Sequence, residues 1–285
     1  MGGWGGEWLP KAFVYSAVLA TAGVLAVRTL LWRLETAATG ASGLEARLAR
    51  IGVISAIVVL LALLGRALFY AAAAFGWSEA LSWENLRLAA LESRWGQSWR
   101  LQASAAAALV AAALAARRWS VGWIAYFAAA AGLYLAIPLL GHAAGSPARY
   151  LLHSGHLIGG GVWLGSLAVL IGLRRSVESS SPSAFPGLIR RFSPLALSGA
   201  SAVFLTGLTL AVVYVGSMRN LAATAYGRLL LLKIVFVVLV AGCGRLNWGR
   251  VRAGETPFAG VMLAEALAAV AVVIVTSLLT QAEHP

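Results

Sequence analysis

The sequence predicts an all-α, polytopic integral membrane protein, a helical bundle with about eight transmembrane helices. Its composition is the first observation: 60% of the 285 residues are hydrophobic, only 11% are charged, and the mean hydropathy is +0.83. A soluble domain carries roughly 25% charged residues. The second observation is a series of apolar stretches of roughly 20 residues, the length that a helix needs to cross a hydrocarbon core of about 30 Å. The solvent of this chain is therefore lipid.

Eight stretches meet this length requirement. We predict spans near residues 11–33, 51–75, 99–117, 120–141, 150–173, 193–216, 226–244 and 258–280. No connection is long enough for a separate soluble domain, so we expect one membrane domain over residues 1–285. The long connection 76–98 contains Ser82, a candidate N-cap, followed by apolar residues at helical spacing. It predicts a short interfacial helix, either a lid or docking surface for a partner or a simple connector.

The arginines predict how the spans are oriented. The connections after the odd-numbered spans are rich in arginine, whereas the opposite connections hold few arginines, diluted by glutamates. By the positive-inside rule the arginine-rich connections are cytoplasmic, so both termini are extracytoplasmic. The net charge of +12 then reflects membrane orientation, and we expect lipid and not nucleic acid as the partner of this basic surface.

All four histidines fall on the predicted outer side. His142 ends span four, His153 and His156 begin span five, and His284 follows span eight. Imidazole is a common ligand of copper, zinc, iron and nickel. His153 and His156 share a helical face, and a short turn separates them from His142. These three residues are candidate metal ligands or interfacial hydrogen-bonding residues, and His284 and the thioether of Met218 are weaker candidates.

Span five is rich in glycine, with small residues spaced four apart at Gly155 and Gly159 and at Gly161 and Gly165. Such spacing lets helices approach closely, so we expect this span in the centre of the bundle with its histidines facing protein. Trp163 lies two turns below His156, where it either floors a metal site or only packs.

Glu265 is a carboxylate inside span eight, where ionisable groups are costly and therefore candidates for function. It could relay a proton or bind a cation on a transport path. The alternative is a structural ion pair, for which Arg66, Arg28 and Lys233 are the candidate counter-charges. For Arg28 and Lys233 we favour a structural role near the interfaces.

Several motifs resemble the copper resistance protein D (CopD) family. They are HLIGGGVWLG from His156 to Gly165 and GHAA from Gly141, followed by RFSPLAL, TGL, YGRLLLLK and LAEALAA. The resemblance is strongest over residues 141–285 and extends to the N-terminal half only in hydropathy. It implies a multi-pass protein of the bacterial inner membrane, not an enzyme, that receives copper from a periplasmic copper-carrier protein and moves it inward.

The resemblance also assigns residues. His142 and His156 match the motif histidines, and Glu265 matches an acidic residue of the last span. His153 stands where the family usually has aspartate. It either adds a nitrogen ligand or marks a site retuned for another function.

Our hypothesis is a copper transporter in which His142, His153 and His156 capture copper and a polar route past Glu265 leads inward. Haem is the alternative: His142 with either of the other two could supply both axial ligands of an electron-transfer protein. His153 and His156 cannot do so together, because they project from one helix. A membrane scaffold with hydrogen-bonded histidines is the third hypothesis.

Overall fold

The computed structural model describes residues 6–35, 42–180 and 184–283, and these residues form helices and connections without a β-strand. The α-helices are α1 (Trp8–Glu35), α2 (Ser42–Phe75), α3 (Trp83–Arg87), α4 (Arg94–Ala116), α5 (Gly122–Ala136), α6 (Pro147–Gly160), α7 (Ser166–Ser180), α8 (Ala184–Val215), α9 (Met218–Ala223), α10 (Ala225–Arg252) and α11 (Ala259–Leu279). Short π turns at Leu88–Glu92 and Gly161–Gly165 and 3-10 turns at Ile137–Leu140 and His142–Gly145 complete the described helical elements.

Eight segments within the described residues are long and apolar enough to cross a membrane, which confirms the predicted fold class. They are Trp8–Leu31, Gly43–Phe75, Arg94–Ala116, Gly122–Leu140, Pro147–Ser179, Phe185–Val215, Ala225–Arg252 and Ala259–Leu279. Spans five, six and seven extend beyond the predicted limits at their arginine-rich ends. The helices continue there into polar sequence, and hydropathy cannot predict the end of a helix that extends beyond its apolar stretch.

The bundle has two chemically different ends. The end at which α6 and α10 begin and α8 and α11 finish is called the histidine end. The opposite end is called the arginine end. Aromatic residues gather at the histidine end: the Tyr70 ring stacks on Trp95, with 4.2 Å between centroids, and Trp95 lies 6.2 Å from Trp99. The Trp99 indole N–H donates to the carbonyl of Leu63 at 2.8 Å. Such belts are typical of a membrane interface.

The connection between α2 and α4 contains the predicted short helix, α3. Ser82 caps it as expected, since its hydroxyl accepts from the backbone N–H of Asn85 at 3.2 Å. The helix continues into the π turn at Leu88–Glu92, and Ser93 then caps α4.

Span five lies in the centre of the bundle, as its glycines predict. A Cβ on Gly165 would overlap the backbone carbonyl of Leu19 in α1, and one on Gly161 would overlap the Tyr134 hydroxyl of α5. On another side Gly159 faces α8, and a Cβ added to Gly159 would lie 3.0 Å from the side chain of Ala202. Only glycine permits these backbone approaches, so span five is held between α1, α5 and α8.

The end of span four sets the position of the first histidine. The α-helix changes to a 3-10 turn at Ile137–Leu140, which contains Pro138. Proline has no N–H to continue the helical hydrogen bonds. The buried amide of Gln102 donates to the carbonyls of Ala136 and Ile137, at 3.0 and 3.2 Å. Because these terminal carbonyls have hydrogen-bond donors, the helix can end here. The chain turns at Gly141, and the backbone of His142 lies beside the start of α6.

Candidate metal site

His156 lies inside the bundle, about 14 Å along α6 from Pro147. Its ring packs against α8, where an added Cβ on Gly207 would lie 3.0 Å from the imidazole Cε1. The absence of a side chain at Gly207 therefore makes room for the ring. Thr206, the neighbour of that glycine, is within hydrogen-bonding distance: its Oγ1 lies 3.0 Å from His156 Nδ1.

The contacts of Thr206 indicate which nitrogen of His156 carries the proton. The hydroxyl oxygen lies 2.5 Å from the carbonyl of Ala202, which can only accept, and we assign the single hydroxyl hydrogen to that bond. Towards His156 its oxygen can then only accept, so Nδ1 is the donor. In a neutral imidazole the other nitrogen, Nε2, holds the lone pair that binds metals. Thr206 thus holds the ring in the way that partners of metal-binding histidines commonly do, with Nε2 as the nitrogen that could bind a metal.

His153 lies one turn closer to the histidine end and faces Tyr214, near the end of α8. Its Nε2 is 3.0 Å from the Tyr214 hydroxyl. Arg149 also hydrogen-bonds the Tyr214 side chain, which leaves the phenolic hydrogen available to His153. The two rings are tilted at 54° with centroids 5.7 Å apart. Binding a metal through Nε2 would displace the tyrosine hydroxyl.

The other predicted ligands are less defined. The backbone of His142 begins the 3-10 turn that precedes α6, but its side chain is not among those described, and His284 lies outside the described residues. Met218, at the start of α9, is 83% exposed. Among the described side chains, no three of His, Cys, Asp or Glu form a group that could hold a metal ion. Of the predicted ligands, His153 and His156 are the two with described side chains on α6, one turn apart, and each is hydrogen-bonded to a side chain of α8.

Lys233 is a residue near this pair whose role the sequence did not reveal. It lies on α10, about 12 Å along the helix from Ala225, and its charge acts on the His156 imidazole. We expected it near an interface or beside Glu265. Its place in the YGRLLLLK motif was visible in the sequence, but which helix it faces was not.

Glu265 belongs to the arginine end. The side chain is buried, with 5% exposure, and its Oε2 accepts from the amide of Asn247 at 3.5 Å. Phe258 N–H donates to the Asn247 carbonyl at 3.2 Å, so the amide must present its NH₂ group to Glu265. Gly244 leaves room for the carboxylate, since an added Cβ would lie 3.0 Å from Oε1. Asn247 is a second residue that sequence reasoning missed.

The proposed counter-charges of Glu265 are engaged elsewhere. Arg28 forms an ion pair with Glu45 at 3.1 Å and lies over the Trp123 ring at 4.8 Å. Arg66 is buried near Tyr15 and Glu7 towards the histidine end. Within the described residues Glu265 has no cation within 4 Å, so the alternative of a structural ion pair is not observed there.

Trp163 lies between the two polar positions. It is buried in a cluster with Val240 of α10 and with Ala268 and Val272 of α11. Ala268 is one helical turn from Glu265, whereas His156 is two turns from Trp163 on the other side. The order along the bundle is therefore His156, Trp163 and Glu265.

Fold and site define a polytopic membrane protein with a half-buried histidine pair at one end and a buried carboxylate near the other. A family model described as "Copper resistance protein D-like, N-terminal domain" matches residues 8–150, and one described as "Copper resistance protein D" matches residues 186–279. The chain belongs to the copper resistance protein D family. Both halves match, so the similarity extends further towards the N-terminus than the sequence motifs indicated.

A curated relative is consistent with this assignment. The chain is 29% identical over 225 residues to "Copper transport protein CutJ" of Bacillus subtilis (strain 168), and the match covers 74% of this chain. It covers 41% of that relative, so the chain spans about two-fifths of its length. No solved structure matches the chain. His142 lies within the first family match and Glu265 within the second, whereas His153 and His156 lie between the two.

Proposed function

We propose that this protein binds copper at the histidine end of the bundle and moves it across the bacterial inner membrane towards the arginine end. The observation that carries the proposal is the hydrogen bond between the half-buried His156 and Thr206, which leaves Nε2 as the candidate metal ligand. His153 supplies a second nitrogen, and His142, in the adjacent turn, is the proposed third ligand. Transport of this kind requires no catalytic step.

The charge distribution supports the orientation that inward transport requires. Arginines concentrate where α7 and α10 finish, and the aromatic belt lies at the other end. By the positive-inside rule the arginine end is cytoplasmic, and the histidine end faces the periplasm with both termini. A periplasmic copper carrier would then deliver its cargo to the histidine end, where His284 and Met218 are further candidate ligands.

The inward route passes Trp163 and reaches Glu265. A buried carboxylate within a span favours a cation over an anion, and no described cation neutralises this one within ion-pair distance. Glu265 can therefore receive copper or exchange a proton for it. The positive charge of Lys233 repels a copper ion near His156, which would lower the affinity of the first site and allow copper to leave it.

Binding and metal identity are tested on the purified protein in lipid nanodiscs. Elemental analysis after copper loading should find copper, and the absorbance spectrum should lack a Soret band. His156→Ala should abolish high-affinity binding, whereas Thr209→Val, a change at an exposed position of α8, should not. Unchanged affinity in His156→Ala would refute the site, and a Soret band would refute the choice of copper over haem.

A further inference from the structure

α10 is longer than the membrane core that it crosses. Its 28 residues extend about 42 Å, against roughly 30 Å of hydrocarbon. The last two turns therefore reach the headgroup region at the arginine end. Their outer surface is open: Leu246 is 62% exposed, and Arg245 and Arg252 are exposed as well.

Arg245 and Arg252 lie in these turns with Trp248 between them. We call the two arginines the α10 arginine pair. The three residues are spaced three and four apart and so share a face of the helix. The guanidinium carbons lie 4.8 Å and 5.2 Å from the indole ring centroid. At such distances the ring holds each cation through its π-face and leaves the guanidinium N–H edges to other partners.

No carboxylate occupies those edges in the described part of the chain. Glu255, the nearby acidic residue, pairs with Arg250 at 3.0 Å, and the Arg250 Nε also donates to the Thr256 carbonyl at 3.2 Å. Arg250 is thus neutralised within the protein. Arg245 and Arg252 form no ion pair with a described residue.

We infer that the α10 arginine pair binds the headgroup of an anionic phospholipid. A phosphodiester matches the planar guanidinium fork, which can donate two parallel hydrogen bonds to its oxygens. An indole at this depth is suited to the membrane interface. The inference rests on the charges and positions of these residues and does not depend on copper.

The full-length protein in nanodiscs tests it. We would compare retention of phosphatidylglycerol and phosphatidylcholine by native mass spectrometry on release from mixed nanodiscs. The wild type should retain phosphatidylglycerol preferentially. Each of Arg245→Gln and Arg252→Gln should weaken that preference about fivefold, as expected for roughly one basic residue near an anionic surface. Trp248→Leu should weaken it too, because both guanidinium groups lose their platform.

Arg250→Gln is the matched control, since it removes one positive charge from the same two turns at a residue that is already paired. It should leave lipid retention unchanged, and circular dichroism should show all variants equally helical. Equal loss in Arg250→Gln would overturn the inference, because only net charge would then matter. Equal retention of the two lipids by the wild type, or displacement of the lipid by millimolar inorganic phosphate, would overturn it as well.

Discussion

The role of Thr206 gives the sharpest test of the metal site. Thr206→Val keeps the shape of the side chain but removes the oxygen that accepts from His156 Nδ1. The Nδ1–H then loses the hydroxyl as its acceptor, and a polar group left fully unsatisfied inside a protein costs about 1–3 kcal/mol, which is the upper bound here. Part of this cost is avoided if the proton moves to Nε2, but Nε2 then has no lone pair with which to bind a metal.

Both outcomes weaken metal binding. Losing the partner of a metal-binding histidine typically lowers affinity about 10- to 100-fold, and each factor of ten corresponds to about 1.4 kcal/mol. We expect Thr206→Val to weaken copper binding at least about tenfold. Thr206→Ser, which keeps the hydroxyl, should bind within a factor of about three of the wild type.

The assay is competition for Cu(I) against a chromophoric chelator, with the protein in nanodiscs. Thr209→Val is the control, since Thr209 lies on the same helix and its hydroxyl donates only to the carbonyl of Leu205. Nitrogen NMR of labelled histidine should show Nδ1 protonated in the metal-free wild type. Wild-type affinity in Thr206→Val, or equal losses in the serine and valine variants, would refute the reasoning.

Three further predictions concern charge and packing. Lys233→Met should raise copper affinity at the histidine pair severalfold, because it removes a repelling cation, whereas Lys233→Arg should not; equal affinity in all three proteins would contradict the repulsion. Glu265→Gln should leave copper binding intact but slow copper uptake into proteoliposomes, and unchanged uptake would exclude a role for the carboxylate in the route. Gly165→Val should lower the unfolding temperature and the yield, because its side chain would overlap the α1 backbone, whereas Gly132→Val, which meets nothing within 4 Å, should not. Similar melting of both glycine variants would show that the close approach contributes little.

The fold could be predicted from sequence because hydropathy reports directly on the solvent of each segment. The ends of the helices could not be predicted in this way, since a helix such as α10 continues into arginine-rich turns that no longer lie in hydrocarbon. The spacing of His153 and His156 likewise follows from the geometry of one helix. Local sequence is sufficient for such features.

Contacts between helices could not be predicted in this way. Thr206 of α8 contacts His156 and Lys233 of α10 acts on it through its charge, both from far along the chain, and periodicity carries no information on which faces meet. The neighbour of Glu265 could not be predicted for the same reason. Arg28 of α1 pairs with Glu45 of α2, and a neutral amide, Asn247, lies beside Glu265.

The contact between Gly165 and Leu19 bears on how the chain can be divided. The two family matches suggest modules that meet between residues 150 and 186. Yet the helix in this interval has its backbone against α1, the first helix of the N-terminal match. A cut before this helix would separate it from α1 and expose the close contact between Gly23 and Gly165 on both fragments. We therefore expect that the two matched stretches do not fold separately, and that an exchange of segments between relatives has to carry α1 together with α6 and α7.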